Sequence, residues 1–169
     1  EVVAVAEPDQ KRRDQFAERY QIGPEKCFTG WEEALAQPKM ADAVFVCTLD
    51  EMHTAPALKA LELGYDVLLE KPMSNTEEEC IAIERGARES GRVLTVCHVL
   101  RYTPFFRKIK ELIREGAIGK TVTIDLIENV GYWHQAHSFV RGNWRDAKET
   151  SPMILAKSCH DLDIICWLM

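Results

Sequence analysis

DVLLEKPMSNTEEE, residues 66–79, decides how the chain is read. The run Val67-Leu68-Leu69 is apolar at consecutive positions, which is the pattern of a strand covered on both faces in a parallel sheet. It stops abruptly at Glu70-Lys71-Pro72. Thr76, with Glu79 three residues on, then has the spacing of a capping box and predicts a helix over 76–90. Gly91 ends that helix, and RVLTVCHV (92–99) is a further buried strand. A strand need not end in a carboxylate, an amine and a proline for the sake of solubility, but a reaction centre can use all three.

The same alternation extends outward in both directions. VVAVA (2–6) is a continuous apolar run, residues 10–20 are a charged helix, and Gly23-Pro24 breaks it. Cys27-Phe28 is a short strand, Trp31–Ala36 a short helix, ADAVFVCT (41–48) a buried strand, and His53–Leu63 a helix ended by Gly64. Pro104–Glu115 is an amphipathic helix, expected to pack on the sheet, and Gly116 and Gly119 follow it. Strands separated by helices require crossovers of one hand, which predicts an α/β doubly wound parallel sheet. From residue 120 the pattern changes. In KTVTIDLIENVGYW (120–133), Val122, Ile124 and Leu126 alternate with Thr121, Thr123 and Asp125, as in a half-exposed strand of an antiparallel sheet. This places a domain boundary near Gly119, with residues 1–119 as the doubly wound unit and 120–169 as the opening of an α+β domain.

Composition narrows the function classes. The chain has 169 residues, 46% hydrophobic and 28% charged, enough for one domain and part of another. A net charge of -6 argues against nucleic-acid binding. No apolar run approaches the roughly 20 residues of a membrane span. The six cysteines form no CxxC and lie at strand ends (Cys47, Cys97) or in helical patterns (Cys80, Cys166). They read as buried free thiols of a reducing cytoplasm rather than as three disulfides. The chain opens inside a strand without Met and closes inside an apolar run, so it reads as a piece of a longer protein that lacks a first strand.

In doubly wound sheets, ligands bind beyond the carboxyl ends of the strands. That rule selects Glu7-Pro8-Asp9, Thr48-Leu49-Asp50, Glu70-Lys71-Pro72 and Cys97-His98 through Arg101. A carboxylate such as Glu7 can accept both hydroxyls of a ribose, and its charge would repel a 2′-phosphate; on position alone it serves equally as a solvated loop acid. A lysine at a strand end in a cleft can lose hydration, titrate lower and exchange a proton with a substrate hydroxyl. Pro72 holds Lys71 extended. These three residues alone also fit a surface lysine ahead of a helix. His134 and His137 have no third ligand at a sensible spacing, so no metal is expected. Cys159 beside His160 is set aside as a nucleophile, because neighbours along a helix point apart.

TLDEMHTAPALKALELGYDVLLEKPMSNTEEE (48–79) resembles the Gfo/Idh/MocA family of nicotinamide-dependent oxidoreductases. So do VVAVAEPD (2–9), HVLRYTPFF (98–106), GNWR (142–145) and KSCHDLDIICWL (157–168), in that order along the chain. The resemblance implies a Rossmann-like dinucleotide domain and a second domain with a mostly antiparallel sheet. It implies NAD, favoured over NADP by Glu7, a carbohydrate-like substrate and a homo-oligomer of the full-length protein. It puts Glu7, Thr48, His53, Glu70, Lys71 and Pro72 along the dinucleotide, with Arg101, Trp144 and Arg145 as further cofactor contacts. Lys71 and His160 become the proton-handling pair, and Tyr132, Lys157, His160 and Lys71 the substrate contacts. One departure stands out. Many members carry Asp one helical turn before the histidine, where this chain has Ala156; Lys157 and Asp163, three residues either side of His160, are the expected substitutes. The implied reaction is hydride transfer to or from a hydroxyl carbon. A redox-neutral NAD-dependent glycosidase and a non-catalytic dinucleotide-binding regulator are the alternatives.

Overall fold

The apolar runs become strands only where a neighbour offers a ladder. In the computed structural model, which describes residues 1–146 and 150–169, β1 (Val5–Ala6) pairs in parallel with β2 (Cys27–Phe28). Three further strands, β3 (Ala43–Val46), β4 (Asp66–Leu69) and β5 (Leu94–Val96), form a parallel sheet in that order. β3 and β5 are shorter than the runs that announced them. The parallel α/β Rossmann-like arrangement is therefore the observed one.

The helices begin and end where side chains and glycines permit. Asp9 accepts the Arg12 N–H at 2.8 Å and starts α1 (Gln10–Tyr20). α2 is Trp31–Leu35, and α3, Thr54–Glu62, leads into Gly64 at φ +80°. Thr76 accepts the Glu79 N–H at 3.3 Å and starts α4 (Glu77–Ser90). The capping box is only half made, because the Glu79 carboxylate takes the Ser74 hydroxyl instead. Gly91, at φ +65°, closes α4 in the left-handed region that a side chain would resist.

The core lies on one side of the larger sheet. Val46, Val67 and Leu69 pack with Ala57, Ala60 and Leu61 of α3, Ile83 of α4, Tyr65 and Leu35. Tyr65 keeps its hydroxyl satisfied by accepting the Met40 N–H at 3.2 Å. The other face is less covered than the apolar runs imply: Phe45, within β3, is 68% exposed. Helices pack fully against only one side, so β3 and β4 alternate in burial after all.

After β5 the chain makes a turn at Val99–Tyr102 and enters α5 (Pro104–Arg114), where Thr103 accepts the Phe106 N–H. α5 does not cover the sheet. It leans on α7 (Met153–Leu168), where the Lys110 ammonium donates to the Trp167 and Leu168 carbonyls. The strand expected from residue 120 does not form, because no described segment after it is extended alongside to supply a ladder. The short α6 (Tyr132–Gln135) and a wider turn at Ala136–Val140 follow. All six cysteines are unpaired, but none is buried, and Cys47 and Cys166 are exposed. The expectation of buried thiols is thus corrected, since the strand ends that carry Cys47 and Cys97 are the open edge of the sheet. One-sided burial gives a contrast to measure. Leu69→Ala, at a fully buried position, is expected to cost about 2–5 kcal/mol in urea denaturation, and Phe45→Ala less than about 0.5 kcal/mol.

Candidate active site

The ladder register sets the first half of the site. Val46, Leu69 and Val96 lie abreast, so the chain leaves the sheet along one edge at Cys47, Glu70 and Cys97. The Glu70 N–H donates to the Val46 carbonyl at 2.9 Å, and the Cys97 N–H to the Leu69 carbonyl at 2.8 Å. Lys71 then turns out of the sheet. Its N–H donates to Glu70 Oε2 at 3.1 Å, and its bond to Pro72 is cis.

His53 holds this turn from behind. Its Nδ1 lies 2.8 Å from the Pro72 carbonyl and its Nε2 3.2 Å from the Thr48 carbonyl. Both ring nitrogens thus face carbonyl oxygens. The ring is 0% exposed. His53, which the resemblance puts along the dinucleotide, lies buried behind the turn and ties the end of β3 to the turn after β4. The Thr48 hydroxyl donates to the Met52 carbonyl at 3.1 Å. At the other sheet, Glu7 Oε1 accepts the Asp9 N–H at 2.9 Å, which leaves Oε2 without a protein donor among the described residues.

α7 supplies the second half. Lys71 Nζ donates to the Ala156 carbonyl at 3.2 Å, one helical turn before His160. The His160 Nδ1 is buried and has no partner among the described residues. Burial holds the His160 pKa below the usual histidine value, and the charges of Lys71, His98 and Lys157 push it the same way against Asp161. The ring is thus a neutral acceptor near pH 7.

Asp163 does not orient His160. Its carboxylate accepts Arg101 Nε at 2.7 Å and the adjacent guanidinium NH₂, and lies 3.0 Å from His98 Nδ1. His98 stands edge-on to His160, with ring centroids 6.1 Å apart. Burial lowers the His98 pKa, while Asp163 opposes this. Lys157 turns to Glu128 at 3.8 Å, and the Glu128 carboxyl is pushed up by burial and then by Asp161. Neither expected substitute for the carboxylate missing at Ala156 reaches the imidazole. The Cys159 thiol is raised by burial, which suits its dismissal as a nucleophile. Tyr132, 87% exposed, and Arg145 make no hydrogen bond or ion pair with Lys71 or His160.

Sequence reasoning missed a buried cluster beside this pair. Asp50 accepts the Trp144 indole N–H at 2.9 Å and the Ser151 hydroxyl, and the Ser151 oxygen lies 2.8 Å from the Asn75 amide group. The Trp144 donor is thus spent inside the protein rather than offered to a cofactor. Asp50 was selected by the strand-end rule, but Ser151 and Asn75 carry no local signal.

A parallel sheet whose carboxyl edge gathers a lysine and a neutral histidine has its candidate site where doubly wound folds bind their ligands. The comparisons agree. Residues 1–98 match the GFO_IDH_MocA oxidoreductase family, NAD-binding Rossmann fold, and residues 110–169 match its C-terminal alpha/beta domain. The chain belongs to this family. It is 33% identical, over 99% of its length, to YteT of Bacillus subtilis, which is named as an oxidoreductase. It is 30% identical, over 76% of its length, to a 2,7-anhydro-N-acetylneuraminate hydratase of Mediterraneibacter gnavus. It spans 39% and 33% of those two proteins. Among solved structures, an inositol dehydrogenase homologue of Azotobacter vinelandii, in complex with NADH and myo-inositol, superposes with a TM-score of 0.65 at 26% identity. That match covers 71% of this chain and 33% of the other.

The two lowered histidines tie stability to pH. A histidine whose pKa is depressed on folding stabilises fully above its unfolded value, near 6.5, and loses that contribution as the pH falls through the lowered one. Melting temperature is therefore expected to fall as the pH drops below about 6.5, beyond the loss seen in a His98→Gln/His160→Gln variant. Parallel curves for the two proteins would exclude these imidazoles as the cause.

Proposed function

We propose that the full-length protein transfers a hydride reversibly between NAD and a hydroxyl carbon of a sugar, polyol or related small molecule. The observation that carries this reading is that Lys71, at the end of β4, reaches the Ala156 carbonyl of α7, one helical turn before His160, whose buried Nδ1 has no partner among the described residues. The residues present fit the dinucleotide. Glu7 offers one free carboxylate oxygen at a strand end, the position suited to a ribose diol. Thr48, Glu70, Lys71 and Pro72 would line its path. When bound, NAD supplies the group that takes or returns the hydride.

The chain's own residues handle the proton. Neutral His160 accepts it from the substrate hydroxyl and returns it in the reverse direction. Lys71 leaves the Ala156 carbonyl to donate a hydrogen bond to the same oxygen. The like charge of Lys71 disfavours an imidazolium beside it, so the proton does not stay on His160. Arg101 acts through Asp163 and His98, and His53 and Trp144 through the turns they pin. Lys157, Tyr132 and Arg145 are the substrate- or cofactor-side contacts of this reading. So are a division near Gly119, an antiparallel sheet that takes in the alternating segment from residue 120, and self-association of the full-length protein. The cytoplasm is the compartment assigned, on six thiols that do not pair.

The hydratase among the relatives favours a second reading, a redox-neutral reaction in which the hydride returns to the same substrate. A regulator that only senses the dinucleotide would have no use for a paired lysine and neutral imidazole. Mixing the full-length protein with NAD and a panel of sugars, polyols and inositols, and following NADH fluorescence, decides among them. NADH is expected with one substrate class, and Lys71→Ala is expected to slow it by about 10²–10⁴-fold. Product without net NADH would establish the redox-neutral reaction, and NAD binding with no turnover of any kind would establish the sensor.

A further inference from the structure

The stretch that leads into α7 reaches the sheet through one carboxylate. Asp50 opens the turn after β3, two residues past Thr48, and is 3% exposed. Its side chain makes no hydrogen bond to its own turn. Oδ2 instead accepts the Trp144 indole N–H at 2.9 Å and the hydroxyl of Ser151, which is itself fully buried. The Asn75 amide group, from the turn ahead of α4, closes on the same Ser151 oxygen at 2.8 Å. A carboxylate buried this deeply is costly unless donors converge on it, and both donors come from the run into α7. α7 has no side-chain cap of its own at Pro152, and Thr150, just ahead of it, bonds back to the carbonyls of Asn143 and Asp146. Its first turn carries the Ala156 carbonyl that receives Lys71, and its second carries His160.

We propose that Asp50 is a latch: through Trp144 and Ser151 it fixes the start of α7 on the carboxyl edge of the sheet and so sets His160 beside Lys71. Asp50 touches neither of them and is a positioning residue. Its catalytic meaning rests on the Lys71–His160 reading, but the geometry is testable without a substrate. The charged and titratable groups facing His160 are Lys71 from the end of β4, His98 from the turn after β5, and Lys157 and Asp161 from α7. Of these, Lys71 and His98 stand on the sheet side, and their distance from His160 depends on where α7 sits.

The test is hydrogen exchange of the full-length protein, read peptide by peptide, with the His160 ring titrated by NMR. In Asp50→Ala, exchange of residues 153–169 is expected to rise about tenfold to a hundredfold, the effect of losing hydrogen bonds to a charged group. Exchange of β3, β4 and β5 stays unchanged, and the His160 titration moves up toward the ordinary histidine value as the helix leaves Lys71. Asp50→Asn, which keeps an acceptor oxygen, gives a smaller change. Trp144→Phe and Ser151→Ala each remove one donor, carry the same test if Asp50→Ala does not fold, and are expected to loosen 153–169 in the same way. Unchanged exchange and titration in the variants that fold would overturn the proposal, and so would equal loss of protection in α7 and the sheet, which would make Asp50 a general core residue. A loosened α7 with no turnover on any substrate would leave the latch standing and remove the dehydrogenase; turnover with α7 unmoved in the variants would do the reverse.

Discussion

The site hangs on the hydrogen bonds that His53 makes behind the turn after β4. One imidazole, wholly buried, lies between the carbonyls of Thr48 and Pro72 and so joins the exits of two neighbouring strands. A backbone carbonyl left buried without a donor is expensive, and the Lys71-Pro72 turn presents one where no strand can reach it. With the carbonyl satisfied, Lys71 leaves the sheet on the open side, at the edge where a doubly wound fold gathers its ligands.

Electrostatics then assign the division of labour. Asp163, three residues past His160 on α7, is occupied by Arg101 and His98. This leaves His160 among cations and buried, two effects that agree in keeping it neutral. A lysine and a neutral imidazole complement each other: one donates, the other accepts, and neither needs a carboxylate to hold the pair apart in charge.

Much of this was legible in the residue order. The parallel alternation, the cap at Thr76, and the glycines at 64 and 91 are local matters, fixed by side-chain reach and by φ. Motif order also singled out Lys71 and His160, the pair on which the proposed reaction rests. The expectations that failed depended on what lies alongside. Apolar runs did not reveal that one face of β3 is open, alternation at 120–133 did not reveal whether a partner strand is present, and helical spacing did not reveal that Asp163 faces Arg101.

The sequence by itself determined most of the element order and the family, because periodicity, capping and motif spacing act over a few residues or along one strand. Only the tertiary structure decided that His53 faces two carbonyls, that Trp144 spends its N–H on Asp50, and that Ser151 and Asn75 belong to the same buried cluster. Apart from Thr48, five residues before His53, those partners are separated by between 19 and 101 residues. A hydrogen bond depends on distance and direction in space, and neither is written in the separation along the chain.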